Sequence, residues 1–352
     1  MEIKEELIRW YRANKRDLPW RKTNNPYFVW LSEIILQQTR VSQGLPYYES
    51  FTVKFPTVFD LAAAHQDDVI RTWQGLGYYS RAQNLHNTAK LVSNELNGKF
   101  PKDYQNLLKL KGVGEYTAAA IASFCFNESV AVVDGNVYRV LSRLFDLDTP
   151  IDQNAGKKEF RTLAEELLDK QNAAEYNQAI MEFGALQCTP KNPHCDTCPL
   201  TNKCLAFDRK TIPQRPVKSS KTKMLEQKMN FLFVTDGQNC VVEKRDGKGI
   251  WKNLYQFPLL ENTGQKQMTT FIEKTFSTRN IINLSRGKAY KHLLSHRKLH
   301  IVFWEAEIAP FPETLVLDKY KIIPLEQLDQ IGMPRVITRY LEEKVFEVRK
   351  NM

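Results

Sequence analysis

The spacing of apolar and polar residues divides the chain into a helical part and a strand-rich part. Up to residue 207, apolar residues recur at helical spacing between short turns such as KFPTV, NGKFP and DLDTPID. Beyond residue 228, NFLFVTDGQNCVVEKRDGKGIW contains two strand-like runs joined by an Asp-Gly turn, and KLHIVFWEAEI alternates with the period of a strand. MPRVITRYLEEKVFEV has the pattern of a closing helix. We therefore predict a mostly α-helical domain over residues 1–207 and a smaller α+β domain over residues 229–352.

The segment between these two predicted domains, residues 208–228, lacks an apolar period. Its first part, DRKTIPQRPVKSSKTK, carries six basic residues against one acidic residue and includes two prolines. This composition is typical of a linker, and its positive charge is suited to contact with phosphate.

Length and charge narrow the class of protein. The chain has 352 residues, of which 42% are hydrophobic and 26% charged, as in an ordinary globular protein with two domains. Its net charge of +10 favours a polyanionic partner such as nucleic acid, although a merely basic surface explains the charge equally well. No stretch reaches the roughly 18 apolar residues of a membrane span, and no targeting segment is recognisable. We expect a cytoplasmic, nucleoid-associated monomer, and the short linker is typical of a bacterial protein.

Four of the six cysteines lie within CTPKNPHCDTCPLTNKC, residues 188–204. In a reducing compartment such a group is more typical of thiolate ligands than of disulfides. Cys188, Cys195, Cys198 and Cys204 follow the spacing C-x6-C-x2-C-x5-C, which has only one of the two close pairs usual in structural zinc sites. The spacing favours an iron-sulfur cluster with four thiolate ligands, and zinc remains the alternative.

The stretch LLKLKGVGEYTAAAIASF, residues 107–124, has the pattern of a helix-hairpin-helix. Gly112 and Gly114 permit a tight hairpin, so that backbone N–H groups at the start of the second helix can hold a phosphate. Taken alone, the short Gly-Val-Gly sequence is better explained by a plain turn between two helices.

Two carboxylates stand in contexts that suit catalysis. In SVAVVDGNVYRVLSRLF, a β-branched run ends at Asp134, which together with Asn136 lies at a predicted helix start. Such a carboxylate is either a simple helix cap or a group held in place to stabilise a cation. In FVWLSEIILQQTRVSQ, Glu33 has mostly apolar neighbours, and burial would raise its pKa and prepare it to donate a proton. The alternative is an exposed glutamate on an amphipathic helix. One buried acid and one ionised carboxylate suit cleavage of an N-glycosidic bond.

Several motifs carry a resemblance to a known family. The cysteine spacing is similar to the cluster loop of the endonuclease III superfamily, in which a [4Fe-4S] unit organises a DNA-binding loop. LPWR, SEIILQQT, GLGYYSRAQNLH, GVGEYTAAAI, VDGNVYRVLSRL and the cysteine loop occur in the order seen in MutY-type adenine DNA glycosylases, and they cover most of residues 17–204. The resemblance implies base excision repair of double-stranded DNA, with removal of adenine opposite 8-oxoguanine or guanine.

The same resemblance implies roles for single residues. Glu33 matches the general acid that protonates adenine N7, and Asp134 matches the carboxylate that stabilises the sugar cation. Tyr116 stands where the related lyases have a catalytic lysine, so that a monofunctional glycosylase is expected. We expect Tyr116 to orient Asp134 or the reacting sugar, or else to fill space in the core.

Resemblance also implies DNA contacts in the first domain. Gln38 and Tyr78 match residues that wedge into the double helix, and Thr39 and Leu76 match residues that lie against 8-oxoguanine. A structural role for the tyrosine is the alternative.

The second domain resembles the Nudix-like domain of the MutY family. The chain lacks the Glu-rich Nudix box, and we expect no pyrophosphatase activity. Leu294, Ser295 and His296 stand in place of the family's Phe-Ser-His loop, so Ser295 and His296 are expected to contact 8-oxoguanine, or else to form a polar turn. Leucine in place of the aromatic residue removes a stacking group.

Two other functions fit part of the sequence. A pyrimidine-lesion glycosylase with lyase activity, as in endonuclease III, is disfavoured by Tyr116 and by the long second domain. A non-catalytic iron-sulfur protein that binds DNA or senses redox state leaves Glu33 and Asp134 without a role.

Overall fold

The computed structural model describes residues 2–219, 224–247, 249–260, 265–275, 281–294, 297–308, 310–311 and 319–350. The chain forms two compact units, one of Met1–Ala63 with Asn84–Lys221 and the other of Ala64–Gln83 with Thr222–Met352. The second unit therefore includes twenty residues that the sequence placed in the first domain. Contacts that join them to the rest of the second unit include the hydrogen bond from Tyr79 to the carbonyl of Met333 (3.4 Å) and the one from Gln83 to the carbonyl of Lys252 (2.7 Å).

Residues 2–219 are mainly helical, as predicted. Their α-helices are, in chain order, α1 (Ile3–Asn14), α2 (Pro26–Leu36), α3 (Val41–Lys54), α4 (Val58–Ala63), α5 (Gln66–Thr72), α6 (Ser80–Glu95), α7 (Tyr104–Leu107), α8 (Glu115–Phe126), α9 (Gly135–Leu144), α10 (Asn154–Leu167), α11 (Ala173–Leu186) and α12 (Leu205–Asp208). Local sequence explains several starts. For example, Asn25 accepts a hydrogen bond from the N–H of Tyr27 (3.0 Å), and Pro26 occupies the first turn of α2.

One apolar core of the first unit is built from α1, α9, α10 and α11. Leu7, Leu141 and Phe160 have no measurable exposure, and Phe183 is almost fully buried. Three of the four clustered cysteines pack against this core: Cys188, Cys198 and Cys204. The same packing therefore holds α9 and the cysteine loop.

The second unit contains one mixed sheet. Its described strands are β1 (Leu225–Thr235), β2 (Asn239–Lys244), β3 (Tyr255–Gln256), β4 (Leu259–Leu260), β5 (Ile281–Leu293), β6 (Arg297–Ile308) and β7 (Tyr320–Pro324). The strand order is β3-β2-β1-β6-β5, with β4 paired to β1 and β7 to β2. The pairing of β1 with β6 is parallel and the other pairings are antiparallel.

Helices cover both faces of this sheet because apolar side chains alternate along β1. Phe231 and Phe233 lie in the cluster that includes Tyr340 of α14 (Arg335–Lys350). Leu232 and Val234 lie in a second cluster, with Ile272 of α13 (Gln265–Thr275). The predicted α+β architecture is confirmed.

The predicted linker, 208–228, differs from the structure at both ends. Residues as far as 219 belong to the first unit, in which the carboxylate of Asp146 accepts hydrogen bonds from Thr211 (2.6 Å) and Arg209 (3.2 Å) and pairs with Arg215 (2.9 Å). At the other end, β1 begins at Leu225 because its parallel pairing with β6 extends to that residue. Two of the basic residues in the predicted linker, Arg209 and Arg215, thus form ion pairs with Asp146.

None of the helices in the described ranges combines the length and the hydropathy that crossing a membrane requires.

Candidate active site

Glu33 lies on α2 at the wall of a pocket of about 190 Å³ in the first unit. Its side chain has apolar neighbours along the helix, and the residue is only 7% exposed. The pocket is lined by Arg16, Leu18, Trp20, Arg21, Val29, Ser32, Glu33, Leu36, Thr39, Val41, Tyr116, Phe124, Asp134, Asn136, Gln178, Met181, Glu182 and Ala185. The prediction that Glu33 is buried is confirmed, and its predicted partner Asp134 faces the same pocket.

Burial raises the pKa of Glu33 to about 7, and the negative charge of Asp134 adds to this shift. A hydrogen bond from the Tyr116 hydroxyl to Glu33 Oε2 (2.6 Å) acts in the opposite direction because it favours the charged carboxylate. Glu33 therefore exchanges its proton close to neutral pH, as a general acid must.

The sequence suggested that Tyr116 orients Asp134 or the reacting sugar, or fills space in the core, and the structure adds a contact with Glu33. Its hydroxyl is bonded to Glu33, and burial raises the pKa of Tyr116 well above its usual value. The reason is the position of Tyr116 in the first turn of α8, a helix that packs on α2. Tyr116 thus orients the acid, whereas Asp134 is oriented by other groups.

Asp134 is the N-cap of α9, as the sequence predicted. Its Oδ1 accepts hydrogen bonds from the backbone N–H groups of Asn136 and Val137 (both 2.8 Å). Its Oδ2 accepts a third from Asn136 Nδ2 (2.7 Å). Burial raises the pKa of Asp134, while these donors favour its charged form. The carboxylate is both a helix cap and a fixed group at the pocket.

Arg139 connects Asn136 with the loop that bears the cysteines. The guanidinium donates to the side-chain oxygen of Asn136 (2.8 Å), to the carbonyl of Cys188 (2.7 Å) and to the carbonyl of Gly184 (2.5 Å). It is 8% exposed. Because Asn136 holds Asp134, this arginine ties the orientation of the carboxylate to the start of the cysteine loop.

The cysteine loop offers four sulfur donors in a short stretch of chain. None of the described cysteines forms a disulfide, so the thiols of Cys188, Cys195, Cys198 and Cys204 are available as ligands. Arg143 donates a hydrogen bond to Cys188 Sγ (3.4 Å). Within the described ranges, no three His, Cys, Asp or Glu side chains form a group suited to a single metal ion. The donor set itself fits a four-thiolate iron-sulfur cluster.

Three pocket residues were missed by the sequence reasoning. Glu182 of α11 is 1% exposed, and its carboxylate pairs with Arg16 (2.6 Å) and Arg21 (2.7 Å). Burial opposes ionisation of Glu182, but the two guanidinium groups outweigh it and lower the pKa to about 2. The only local signal was Arg21 within the LPWR motif, because the partners lie more than 160 residues apart in sequence.

The predicted hairpin is present between α7 and α8. Gly112 has a φ of +78°, and a Cβ at this position would lie 2.7 Å from Cβ of Asn84. Gly114 is the N-cap of α8 and would have open space around a Cβ. Thr88 donates to the carbonyl of Lys111 (2.6 Å), which fixes the turn. The geometry fits a backbone contact with phosphate at the start of α8.

Comparison with known proteins decides the family. Residues 31–170 match the HhH-GPD superfamily of base excision DNA repair proteins, and residues 230–343 match the NUDIX domain. The adenine DNA glycosylase of Buchnera aphidicola subsp. Schizaphis graminum is 35% identical, over 96% of this chain and 96% of its own length. The chain belongs to the adenine DNA glycosylase family. The predicted family and enzyme class are confirmed.

Other adenine DNA glycosylases and solved structures agree with this family. The Arabidopsis thaliana adenine DNA glycosylase is 34% identical over 88% of this chain and 54% of its own length. A thermostable thymine-DNA glycosylase of known structure is 29% identical, with a TM-score of 0.55 over 58% of this chain and 95% of its own. This likeness confirms the predicted helix-hairpin-helix glycosylase fold.

Gln38 and Tyr78, which match the family's residues that wedge into the double helix, share an unusual backbone conformation. Gln38 and Tyr78 have φ of +55° and +47°, a region that few residues other than glycine adopt. Gln38 is exposed just beyond the end of α2, and Tyr78 is 42% exposed. Thr39 is half-buried and lines the Glu33 pocket, whereas Leu76 is only 6% exposed. The DNA contacts of these four residues stay predictions.

The residues that resemble the family's 8-oxoguanine loop, 294–296, follow β5 in sequence. Leu294 packs against the core cluster that contains Phe303, and its N–H bonds to the carbonyl of Arg297 (2.8 Å). In this position leucine is partly buried and packs against the core. Ser295 and His296 lie outside the described residues.

Proposed function

We propose that this protein excises adenine from double-stranded DNA in which adenine is paired with 8-oxoguanine or guanine, as a step of base excision repair. The observation that carries the proposal is Glu33, a buried acid with a pKa of about 7 that faces the same pocket as the fixed carboxylate of Asp134. Family membership supports adenine as the base, and the resemblance of the second domain supports 8-oxoguanine as its partner.

The chemistry begins once the adenine has left the base stack and entered the pocket, since its glycosidic bond is out of reach inside the duplex. Glu33 donates its proton to the base, which then leaves as a neutral group with the electrons of the C–N bond. The sugar becomes a cation. Asp134 stabilises this cation, and water adds to the sugar carbon and loses a proton to the Glu33 carboxylate, which completes hydrolysis.

Recognition of the base falls to the polar groups of the same pocket. At the wall of the pocket, Arg21 supplies hydrogen-bond donors and Glu182 supplies acceptors. The ion pair between them keeps both side chains in position. A purine presents donors and acceptors along its edge, so these groups are suited to orient adenine N7 toward Glu33.

Strand cleavage by Schiff-base chemistry needs an amine at the reacting sugar. The pocket lining, all of which lies in the described part of the chain, contains no lysine. Tyr116 fills the place of the lyase lysine and holds Glu33. We therefore propose a monofunctional glycosylase.

The test is single-turnover release of adenine from three duplexes, with A opposite 8-oxoguanine, guanine or thymine. We expect release fastest opposite 8-oxoguanine, slower opposite guanine and absent opposite thymine. Strand breaks should appear only after alkali opens the abasic site. Absence of release from every duplex contradicts the proposed activity, whereas breaks without alkali or heat contradict the monofunctional mechanism.

We further propose that Cys188, Cys195, Cys198 and Cys204 hold a [4Fe-4S] cluster. When bound, the cluster crosslinks the loop through four sulfurs and so fixes its shape for DNA contact. Because Arg139 bonds the carbonyl of Cys188, the same crosslink steadies the support of Asn136.

Metal and sulfide content distinguishes this cluster from zinc. Protein purified without oxygen should contain iron and acid-labile sulfide in equal amounts, about four of each per chain for this cluster type. Stoichiometric zinc without sulfide contradicts the assignment.

A further inference from the structure

Tyr78 lies in a loop whose conformation is unfavourable for an aromatic residue. The loop joins α5 to α6 and belongs to the second unit. Gly75 and Gly77 adopt φ of +105° and +73°, which glycine tolerates, but Tyr78 is itself left-handed at +47°. Such a residue persists only where its surroundings impose the conformation.

Two side chains impose it by binding the residue before Tyr78. The indole of Trp73 donates to the carbonyl of Gly77 (3.0 Å), and Nη2 of Arg81 donates to the same oxygen (3.4 Å). Trp73 has no measurable exposure. The carbonyl of Gly77 is part of the peptide bond that enters Tyr78, so fixing it restricts the backbone rotation that sets the direction of the tyrosine side chain.

Arg81 also contacts the rings on either side of this peptide. Its guanidinium carbon lies 5.0 Å from the ring centroid of Trp73 and 5.6 Å from that of Tyr78. The N–H of Arg81 bonds to the carbonyl of Tyr78 (2.8 Å), which begins α6. Burial lowers the pKa of Arg81 to about 10, so the group is still a cation at neutral pH but is poorly hydrated, which strengthens its contacts with aromatic rings.

We propose that Arg81 is a positioning residue that holds Tyr78 in the left-handed conformation from which its ring enters DNA. The proposal rests on the proposed function and on the resemblance in which Tyr78 matches a residue that wedges into the double helix. Arg81 itself has no role in base release other than through Tyr78. A guanidinium suits the task because its plane can face an aromatic ring while one edge donates to a carbonyl, which the compact ammonium of lysine cannot do.

The experiment is a double-mutant cycle on the full-length protein, with Arg81→Met, Tyr78→Ala and the pair combined. Single-turnover release is measured together with the fluorescence of 2-aminopurine placed beside the mispair, which rises when that base unstacks. We expect Arg81→Met to slow release about tenfold, because that factor corresponds to the loss of one buried cation–π contact. The same variant should also give a smaller rise in fluorescence. The combined variant should be no slower than Tyr78→Ala alone.

Arg339→Met is the matched control. The Arg339 guanidinium lies 5.5 Å from the ring of Tyr290 in the same unit, so it makes the same kind of contact elsewhere. It should leave both signals unchanged. Arg81→Lys keeps the positive charge and should fold normally. We expect it to reduce the fluorescence rise as much as Arg81→Met does.

If the combined variant slows release by the product of the two single-variant factors, Arg81 acts independently of Tyr78 and the proposal is overturned. So does full activity of Arg81→Lys or Arg81→Met. If both Arg81 variants lower the thermal unfolding midpoint more than Arg339→Met and lose DNA binding, Arg81 is a stability residue only and the proposal is wrong. The fluorescence change needs no base release, so wild-type protein that unstacks DNA without releasing adenine contradicts the proposed function but not the role of Arg81.

Discussion

Replacing Glu33 with glutamine is expected to slow adenine release by about 10²- to 10⁴-fold, the usual contribution of a general acid. Glutamine has nearly the same shape and can still accept the hydrogen bond from Tyr116, so the pocket keeps its form. What it lacks is a transferable proton. Single-turnover release from the duplex with A opposite 8-oxoguanine measures the loss, and binding of the same duplex should be retained.

Glu243→Gln is the matched control for this substitution. Glu243 is a carboxylate of the second unit that is also 7% exposed, and Gln256 Nε2 donates to it (2.8 Å). It has no part in the proposed chemistry, so the variant should release adenine at the wild-type rate. Wild-type turnover by Glu33→Gln would show that the proton comes from another group.

The pH dependence of adenine release shows whether Glu33→Gln is slow because it lacks the acid proton or because the pocket has changed shape. Glu33 donates only when protonated, and its protonated fraction falls as the pH rises through its pKa of about 7. Above that value the wild-type rate should fall about tenfold per pH unit. The residual rate of Glu33→Gln should lack this decline. A flat wild-type profile from pH 6 to 9 would contradict Glu33 as the acid.

The candidate site was predictable where local sequence determines the environment of a side chain. Glu33 stands among apolar residues on every side of one helix, so its burial followed from composition alone. Asp134 lies between a β-branched run and a helical period, which is where a capping carboxylate belongs. The change from helix to strand beyond residue 224 likewise followed from the period of apolar residues.

What the sequence did not predict depends on contacts between distant residues. The hydroxyl of Tyr116 donates a hydrogen bond to Glu33, which is 83 residues away in sequence, and this partner was not among those considered from the sequence. Glu182 meets Arg16 and Arg21 only because α11 packs on α1. Residues 64–83 join the second unit through contacts such as that between Tyr79 and Met333, which no local pattern encodes.

Asp134→Asn is expected to slow adenine release by about 10²- to 10³-fold, the range found when one electrostatic stabiliser is removed. Asparagine caps helices as well as aspartate does, so its oxygen can still accept from the N–H groups of Asn136 and Val137. α9 should therefore keep its start, while the negative charge that stabilises the sugar cation is lost. Because the Asp134 charge also raises the pKa of Glu33, the decline of the residual rate should shift to lower pH.

Asp103→Asn provides a control because Asp103 is also an N-cap, of α7, and also accepts from a backbone N–H and from an asparagine amide. Its side chain accepts from the backbone N–H of Asn106 (2.9 Å) and from Asn106 Nδ2 (2.8 Å), but Asp103 is only partly buried and is absent from the lining of the pocket. Both variants replace a capping aspartate by asparagine at a helix start. A difference between their rates of adenine release therefore reports the effect of the charge at the pocket, not the effect of the cap. If both variants release adenine as fast as wild type, Asp134 is a structural cap and another group stabilises the cation. If both variants lose activity and unfold at a similarly lowered temperature, loss of the cap alone explains the effect.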